Sequence, residues 1–259
     1  MSEVFRDQYE WSDNQAWTYT ATVDATEFGE LLDSVHALVD ECVLHITPEE
    51  VHVRAIDPAS VAAMRVAKPI VASADGVLAV GVNLNELEDL PPFYRYDNEY
   101  KLKVEHGAES SFEVIHETEG YVTADAFNPE SVRQLGEGNF PEVEPKNEIA
   151  LSAAKIRGLL GGMAESYPTG HLQLTPKRGS LLVETVDRNE GVQGSWEMEM
   201  AVDDGKSVLY SADFLCDIID GLPADGDVLV RFGHEQPLTL FNDGTEYAIA
   251  PRLEDNEVR

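Results

Sequence analysis

The sequence has few cysteines, no long apolar run and little positive charge. Its two cysteines, Cys42 and Cys216, are far apart and form no metal or redox motif. Each lies among apolar residues, so we expect two buried free thiols. No stretch approaches the roughly 18 consecutive apolar residues that a membrane helix needs, and the N-terminus lacks the basic start and apolar core of a secretion signal. These absences predict a protein of the reducing cytoplasm.

Catalytic signatures are missing as well. The chain contains no GxxxxGK[ST], GxSxG, HExxH or paired CxxC motif. Its seven histidines lack metal-ligand spacing, and acidic pairs such as Glu86 and Asp89 are inevitable among 49 Asp and Glu. We therefore expect no catalytic residue, no metal and no cofactor, and a protein that works by shape and docking.

The charge balance is strongly acidic. The 18 Lys and Arg leave a formal net charge of −31, and the acidic residues are spread through the whole chain. Hydrophobic residues still make up 43% of the chain, which is enough for a packed core and speaks against a disordered acidic tail. This pattern predicts the solvated acidic surface of a salt-adapted protein. Taken alone, it would argue against a nucleic-acid partner.

The 259 residues contain a weak internal repeat. Ala25, followed by Leu31-Leu32, recurs 128 positions later as Ala153, followed by Leu159-Leu160. The strand-like HVRAID at 52–57 is echoed as LVETVD at 182–187, and YVTA at 121–124 as YAIA at 247–250. This order predicts two domains of one α+β fold, each with two helices and several antiparallel strands.

The most informative stretch runs from Leu38 to Met64. Period-two alternation over 43–47 and 51–55, on either side of Pro48-Glu49-Glu50, predicts a β-hairpin. A helix ending in LVDE, this hairpin, a strand reading VRAIDPA and then VxxM resemble the first domain of archaeal sliding clamps, the PCNA family. The resemblance covers nearly all of residues 17–253 and adds the ending APRL at 250–253.

The resemblance implies a domain layout and an architecture. It divides the chain into an N-terminal extension (1–16), a first clamp domain (17–126), an interdomain connecting loop (127–147), a second clamp domain (148–253) and an acidic tail (254–259). Sequence alone does not decide whether the extension is a flexible arm or an added edge strand. Clamps of this family are homotrimeric rings whose helices line a channel around duplex DNA; here four helices are expected to start near Thr26, Asn83, Ala153 and Ala212.

The implied function is that of a processivity factor in DNA replication and repair. A clamp is opened by an ATP-driven loader and tethers DNA polymerase and other clients, which insert a short motif with apolar anchors under the connecting loop. The positions that match this partner-binding pocket are Ile56, Leu135, Phe140, Pro237, Ala250, Pro251 and Arg252.

Clamp channels are usually basic, and this chain departs from that pattern. The fourth helix carries Asp213, Asp217 and Asp220 and no cation. The candidate DNA-channel residues are Lys155 and Arg157, with His36 and Arg95 as weaker ones. At about 1 M salt the Debye length falls to ~3 Å, so a closed ring would hold DNA by topology with little electrostatic attraction.

Subunits of such rings join by pairing an edge strand of one second domain with an edge strand of a neighbouring first domain. The strands predicted to do so are 111–116, with Phe112 and Val114, and 195–200, with Trp196 and Met198. Alternation does not say which face each residue occupies, so an interior role for these four is equally open.

Two alternatives to a DNA sliding clamp remain at this stage. One is a divergent clamp paralogue that recruits partners without encircling DNA, which the acidic helices and the N-terminal extension would favour. The other is a salt-adapted α+β hydrolase with an unrecognised site, against which the internal repeat and the missing motifs both speak.

Overall fold

The protein folds as two compact units. The computed structural model describes residues 9–11, 15–87, 99–116, 120–136, 138–141, 144, 146–167, 169–187, 191–223 and 225–252. Unit 1 comprises residues 1–56 and 65–136, and unit 2 comprises residues 57–64 and 137–259. This division differs from the predicted one in two places, since the first ten residues of the connecting loop belong to unit 1 and segment 57–64 belongs to unit 2.

Unit 1 is built from antiparallel strands around one α-helix. The strand order is β3-β2-β6-β9-β8-β7-β1-β5. The elements are β1 Trp17–Asp24, α1 Ala25–His36, β2 Glu41–Ile46, β3 Val51–Ile56, β4 Ala62–Lys68 (whose first three residues belong to unit 2), β5 Val71–Ala74, β6 Leu78–Asn83, a 3-10 turn Leu84–Leu87, β7 Glu99–His106, β8 Ser111–His116, β9 Gly120–Phe127 and a 3-10 turn Pro129–Ser131.

Local sequence signals explain how the first elements of unit 1 form. The side chain of Asp24 accepts a hydrogen bond from the backbone N–H of Glu27 and caps α1. The Thr47 N–H donates to the Glu50 carbonyl and closes the hairpin between β2 and β3. The expected first helix and the expected hairpin are both confirmed. The helix expected near Asn83 is only a 3-10 turn within the described residues, which end at position 87 before resuming at 99.

Unit 2 repeats this plan with two sheets, ordered β10-β15-β16-β17 and β13-β12-β11-β14. Its elements are β10 Asn147–Ser152, α2 Ala153–Ile156, a π-helical turn Arg157–Gly161, α3 Gly162–Ser166, β11 His171–Lys177, β12 Ser180–Asp187, β13 Gly191–Glu199, β14 Val208–Ser211, α4 Ala212–Asp220, β15 Asp227–Phe232, β16 Leu238–Asn242 and β17 Thr245–Ile249. The predicted helix starts at Ala153 and Ala212 are confirmed.

The internal repeat is visible in the helix starts. Helix α1 begins at Ala25 after β1, and α2 begins at Ala153 after β10, which is the predicted offset of 128. The second copy contains the π-helical turn, where the side chain of Ile219 lies 3.3 Å from the position that a Cβ on Gly161 would take. Glycine at that position therefore lets α4 pack closely against the turn.

Candidate functional site

A buried aspartate organises the loop at residues 57–62 of unit 2. Asp57 is 1% exposed. Its Oδ2 accepts a hydrogen bond from the N–H of Ala59 at 2.6 Å, and its Oδ1 accepts from those of Val61 at 2.6 Å and Ala62 at 2.5 Å. Charge-assisted bonds of this kind satisfy a carboxylate that has left water. The loop so fixed directs the Val61 carbonyl at the N–H of Ala250, 2.8 Å away.

The start of the connecting loop packs against unit 1. Val132 is buried and packs with Val43, Ala79 and the half-buried Phe127. A Cβ on Gly81 would lie 2.8 Å from the side chain of Val132, so this close approach requires glycine. The first part of the loop is therefore anchored in unit 1, which alternation did not indicate.

Two hydrogen bonds hold the loop further along. His45 Nε2 lies 3.2 Å from Oε1 of Gln134, and the N–H of Leu135 donates to the Arg54 carbonyl at 3.2 Å. His45 stacks face to face on His52, with ring centroids 4.8 Å apart. Burial first, then the neighbouring His45 and Arg54, lowers the pKa of His52 from 6.5 to about 4.

The residues predicted to dock partners fall into both units. In unit 1, Ile56 and Leu135 are half-buried. The N–H of Leu135 donates to the carbonyl of Arg54, which lies two residues before Ile56 in β3. In unit 2, Phe140, Pro237, Ala250 and Pro251 are half-buried. Arg252 is exposed, but its guanidinium reaches Oγ of Ser211 at 2.8 Å, and its N–H donates to the Leu209 carbonyl at 2.7 Å. The role of all seven residues in docking stays a prediction.

The predicted DNA-channel residues differ in their engagement. Lys155 is exposed on α2. The Arg157 guanidinium donates to the carbonyls of Leu222 and Pro223, just beyond α4. His36 Nε2 lies 3.0 Å from Oδ1 of Asn85. Arg95 lies outside the described residues.

The exposed face of α4 is acidic, as the sequence indicated. Asp213, Asp217 and Asp220 all face solvent. Partial burial, followed by repulsion from Asp213 and Asp220, raises the pKa of Asp217. The same surroundings raise the pKa of the Cys216 thiol. Cys216 is only half-buried, so the expectation of two buried thiols holds for Cys42 alone.

The strand predicted to offer a subunit edge in unit 1 does not have a free edge. β8 is hydrogen-bonded to β7 on one side and to β9 on the other. Phe112 and Val114 are 0% and 1% exposed and belong to the core. The assignment of these two residues to a subunit interface is therefore wrong, because β8 is an inner strand whose apolar residues face inward.

The open edge in unit 1 belongs to β9. β9 pairs with β8 along its length, whereas its described pairing with β6 involves only Ala126 and Phe127. Tyr121, on the open part, is 71% exposed. Tyr121 is not among the residues predicted from the sequence, although a large aromatic on the last strand before the connecting loop is a signal of an exposed contact.

The strand predicted to offer a subunit edge in unit 2 is β13, and it does lie at the edge of its sheet. Within the described residues, β13 pairs only with β12. Trp196 is 59% exposed and Val192 54%, while Met198 is half-buried. Exposed aromatics on open edges are unusual for a protein that works alone.

No group of three or more His, Cys, Asp or Glu side chains is arranged to hold a metal ion in the part of the chain that the structure describes. Among the same residues, no helix is long and apolar enough to span a membrane.

The chain is similar in sequence to archaeal DNA polymerase sliding clamps. It is 29% identical over 256 residues to that of Halobacterium salinarum and 28% identical to that of Natronomonas pharaonis. Each match covers 92% of this chain and all of the relative. No family model matches the chain. The haloarchaeal source of these relatives agrees with the salt-adapted composition.

Solved clamp structures share the fold. An A. fulgidus PCNA bound to the C-terminal region of FEN-1 superposes with a TM-score of 0.73 at 19% identity, covering 92% of this chain and all of that one. PCNA from Entamoeba histolytica gives a TM-score of 0.74 at 12% identity, covering 91% and 99%. One conclusion follows from the two units of one α+β plan, the sequence similarity along nearly the whole chain and this shared fold. The chain is similar over nearly its whole length to the DNA polymerase sliding clamps of haloarchaea, and it has the DNA-clamp fold of the solved PCNA structures.

Proposed function

We propose that three copies of the chain close into a ring around duplex DNA and tether DNA polymerase and other replication and repair enzymes to it. In this proposal the protein acts as a scaffold and not as an enzyme. The observation that carries the proposal is the pair of open sheet edges, β9 in unit 1 and β13 in unit 2, each with an exposed aromatic.

Strand addition between these edges would join neighbouring subunits. β9 of one copy would pair with β13 of the next, which satisfies the backbone groups of both edges and covers Tyr121 and Trp196. Because the two edges differ, the contact is head-to-tail, and such contacts close into a ring when the rotation per subunit allows it.

DNA retention in this ring would rest on topology. The exposed Asp213, Asp217 and Asp220 on α4 repel phosphates, and at about 1 M salt the Debye length is only ~3 Å, so attraction and repulsion are both weak. A closed ring needs no affinity to remain on DNA without ends. We propose Lys155 as the principal phosphate contact, since Arg157 binds backbone carbonyls.

Client docking is proposed for both units. The A. fulgidus PCNA was solved with the C-terminal region of FEN-1 bound, and we infer that this chain binds peptides of the same kind. The contacts would come from Ile56 and Leu135 in unit 1, and from Phe140, Pro237 and Ala250-Pro251-Arg252 in unit 2. Replacing Leu135 or Pro251 by a charged residue should abolish binding of a polymerase C-terminal peptide, whereas replacement of the exposed Asp225 should leave binding unchanged.

Retention on DNA of different topology tests the ring most sharply. The clamp is loaded onto nicked circular DNA in molar KCl, and half of the complexes are then linearised. A ring stays on the circle and slides off the line. Equal loss from both forms would overturn encirclement and would favour a recruiting scaffold that does not enclose DNA, an alternative that the sequence relatives do not favour.

A further inference from the structure

A short N-terminal segment packs onto unit 1 ahead of β1. We call residues 9–11 the N-terminal arm. The ring of Tyr9 lies 5.0 Å from that of Trp17 and 5.2 Å from that of Tyr19, and Trp11 lies 5.2 Å from Trp17 and 4.9 Å from His106. None of the described arm residues is in a strand. Residues 9–11 are therefore docked on unit 1 by aromatic packing.

One polar contact of the arm reaches a different strand. The indole N–H of Trp11 donates to the carbonyl of Ala79 in β6 at 3.0 Å. By comparison, the indole of Trp17 donates within the same region, to the carbonyl of Glu10 at 3.0 Å. Of the two indoles, only that of Trp11 binds to the backbone of β6.

The direction of the Ala79 carbonyl follows from the strand register. The bond from the Thr47 N–H to the Glu50 carbonyl means that odd-numbered residues of β2 direct their backbone groups at β3 and even-numbered ones at β6. Leu44 of β2 therefore bonds to its partner Val80. Ala79, the next residue along β6, directs its carbonyl away from β2.

On that side β6 should be paired with β9, but the pairing stops too early. Gly81 is paired with Phe127, so two residues further along the antiparallel ladder Ala79 would stand opposite Pro129. Proline has no N–H to donate, and Pro129 also begins the 3-10 turn that leads the chain away. The carbonyl of Ala79 is thus left without a strand donor at the point where the connecting loop leaves the sheet.

We propose that Trp11 supplies this missing donor, so that the N-terminal arm caps the open edge of β6 and prevents a second copy of the chain from adding a strand there. The uncapped edge of a strand as apolar as β6 is a template for strand addition. A protein that assembles through the edges of β9 and β13 needs its other edges closed if it is to form one assembly. The arm would in this way protect one such edge, that of β6.

The test compares four proteins in molar KCl: the parent, Trp11→Phe, Trp11→Ala and, as a control away from the arm, Lys146→Gln. Trp11→Phe keeps an aromatic ring but loses the indole N–H together with part of the ring system, and the control loses a side-chain bond to the backbone carbonyl of Asp204 in unit 2. Amide hydrogen exchange in the peptide covering 77–82 reports opening of the edge. Light scattering over a range of protein concentrations reports assembly.

We expect both Trp11 variants to exchange faster in 77–82, with Trp11→Phe about fivefold faster, the factor that one hydrogen bond supplies. Both should also form species heavier than the parent as concentration rises, whereas Lys146→Gln should match the parent in both readouts. Unchanged amide exchange would contradict the proposal that Trp11 caps β6. Faster exchange without heavier species would contradict the proposal that the arm prevents a second copy from adding a strand. The mass of each variant is compared with the mass of the parent. A parent that is not a trimer would contradict the proposed ring, but the comparison would still test whether Trp11 protects the edge of β6.

Discussion

The guanidinium of Arg157 donates a hydrogen bond to the backbone carbonyl of Pro223 at 3.1 Å and a second to the carbonyl of Leu222. Both carbonyls follow α4, whose last turn has no basic residue of its own. Arg157 therefore places a positive charge where the partial negative charge of a helix C-terminus accumulates. It ties the π-helical turn of unit 2 to the end of the neighbouring helix.

Replacement of Arg157 by Ala should lower the free energy of unfolding by about 1.5–3 kcal/mol, because hydrogen bonds to charged groups contribute about that much. Lys155 is the matched control, since it is exposed two residues earlier and Lys155→Ala should change stability little. Denaturant unfolding in molar KCl measures both. Equal stability of the two variants would contradict a structural role for Arg157.

Asp57 should be needed both for stability and for docking. Asp57→Asn keeps the shape of the side chain but places an amide nitrogen where one carboxylate oxygen accepted an N–H, and Asp57→Ala removes all three acceptors. We expect a loss of about 1.5–3 kcal/mol for Asn and more for Ala. Peptide affinity should fall in the same order, because the Val61 carbonyl that meets Ala250 is fixed by this loop.

The control for Asp57 is Asp220→Asn, an exposed change of the same kind on α4. It should leave both unfolding and peptide affinity near the parent. Full peptide affinity in Asp57→Ala would show that the loop at 57–62 does not shape a docking surface.

Gly81→Ala should loosen the start of the connecting loop. The added Cβ would lie 2.8 Å from Val132 and 3.1 Å from Phe127, so one of them must shift. Overpacking of this kind costs about 1–3 kcal/mol. Gly158→Ala is the matched control, since nothing lies within 4 Å of its Cβ position and a helical Gly→Ala change stabilises by up to about 1 kcal/mol. Thermal unfolding that ranks the two variants the other way would refute this packing.

Acid should destabilise the protein in part through His52. Its pKa is about 4 in the folded chain and 6.5 ordinarily, so the unfolded chain takes up the proton first as the pH falls. The contribution of the neutral His52 ring to the free energy of unfolding is fully present above pH 6.5 and is lost progressively as the pH falls toward 4. His52→Gln should therefore flatten the pH dependence of the free energy of unfolding between these values. Parallel curves for parent and His52→Gln would contradict the burial of the ring.

Local patterns predicted the elements formed by neighbouring residues. Asp24 was a capping residue before a periodic apolar stretch, and Pro48-Glu49-Glu50 separated two alternating runs, so helix α1 and the β2–β3 hairpin followed directly from the sequence. The internal repeat located the second helix start at Ala153 because each copy keeps the same local signals.

Local patterns do not determine the order of the strands in a sheet. Apolar and polar residues alternate in the same way in β8 and β9, and which strand has an open edge depends on partners distant in sequence. The sequence pattern therefore assigns Phe112 to an interface and does not single out Tyr121. The same holds for Val132, whose burial depends on a glycine fifty-one positions earlier. The bond from Trp11 to Ala79 likewise depends on where β9 ends.

The central claim is the closed ring, and the absolute mass of the particle in molar KCl tests it most directly. Light scattering during size exclusion measures this mass without assumptions about shape. The proposed ring of three copies predicts a single species at three times 28.6 kDa. A mass of 28.6 kDa at every salt and protein concentration would contradict the ring and with it the proposed means of holding DNA.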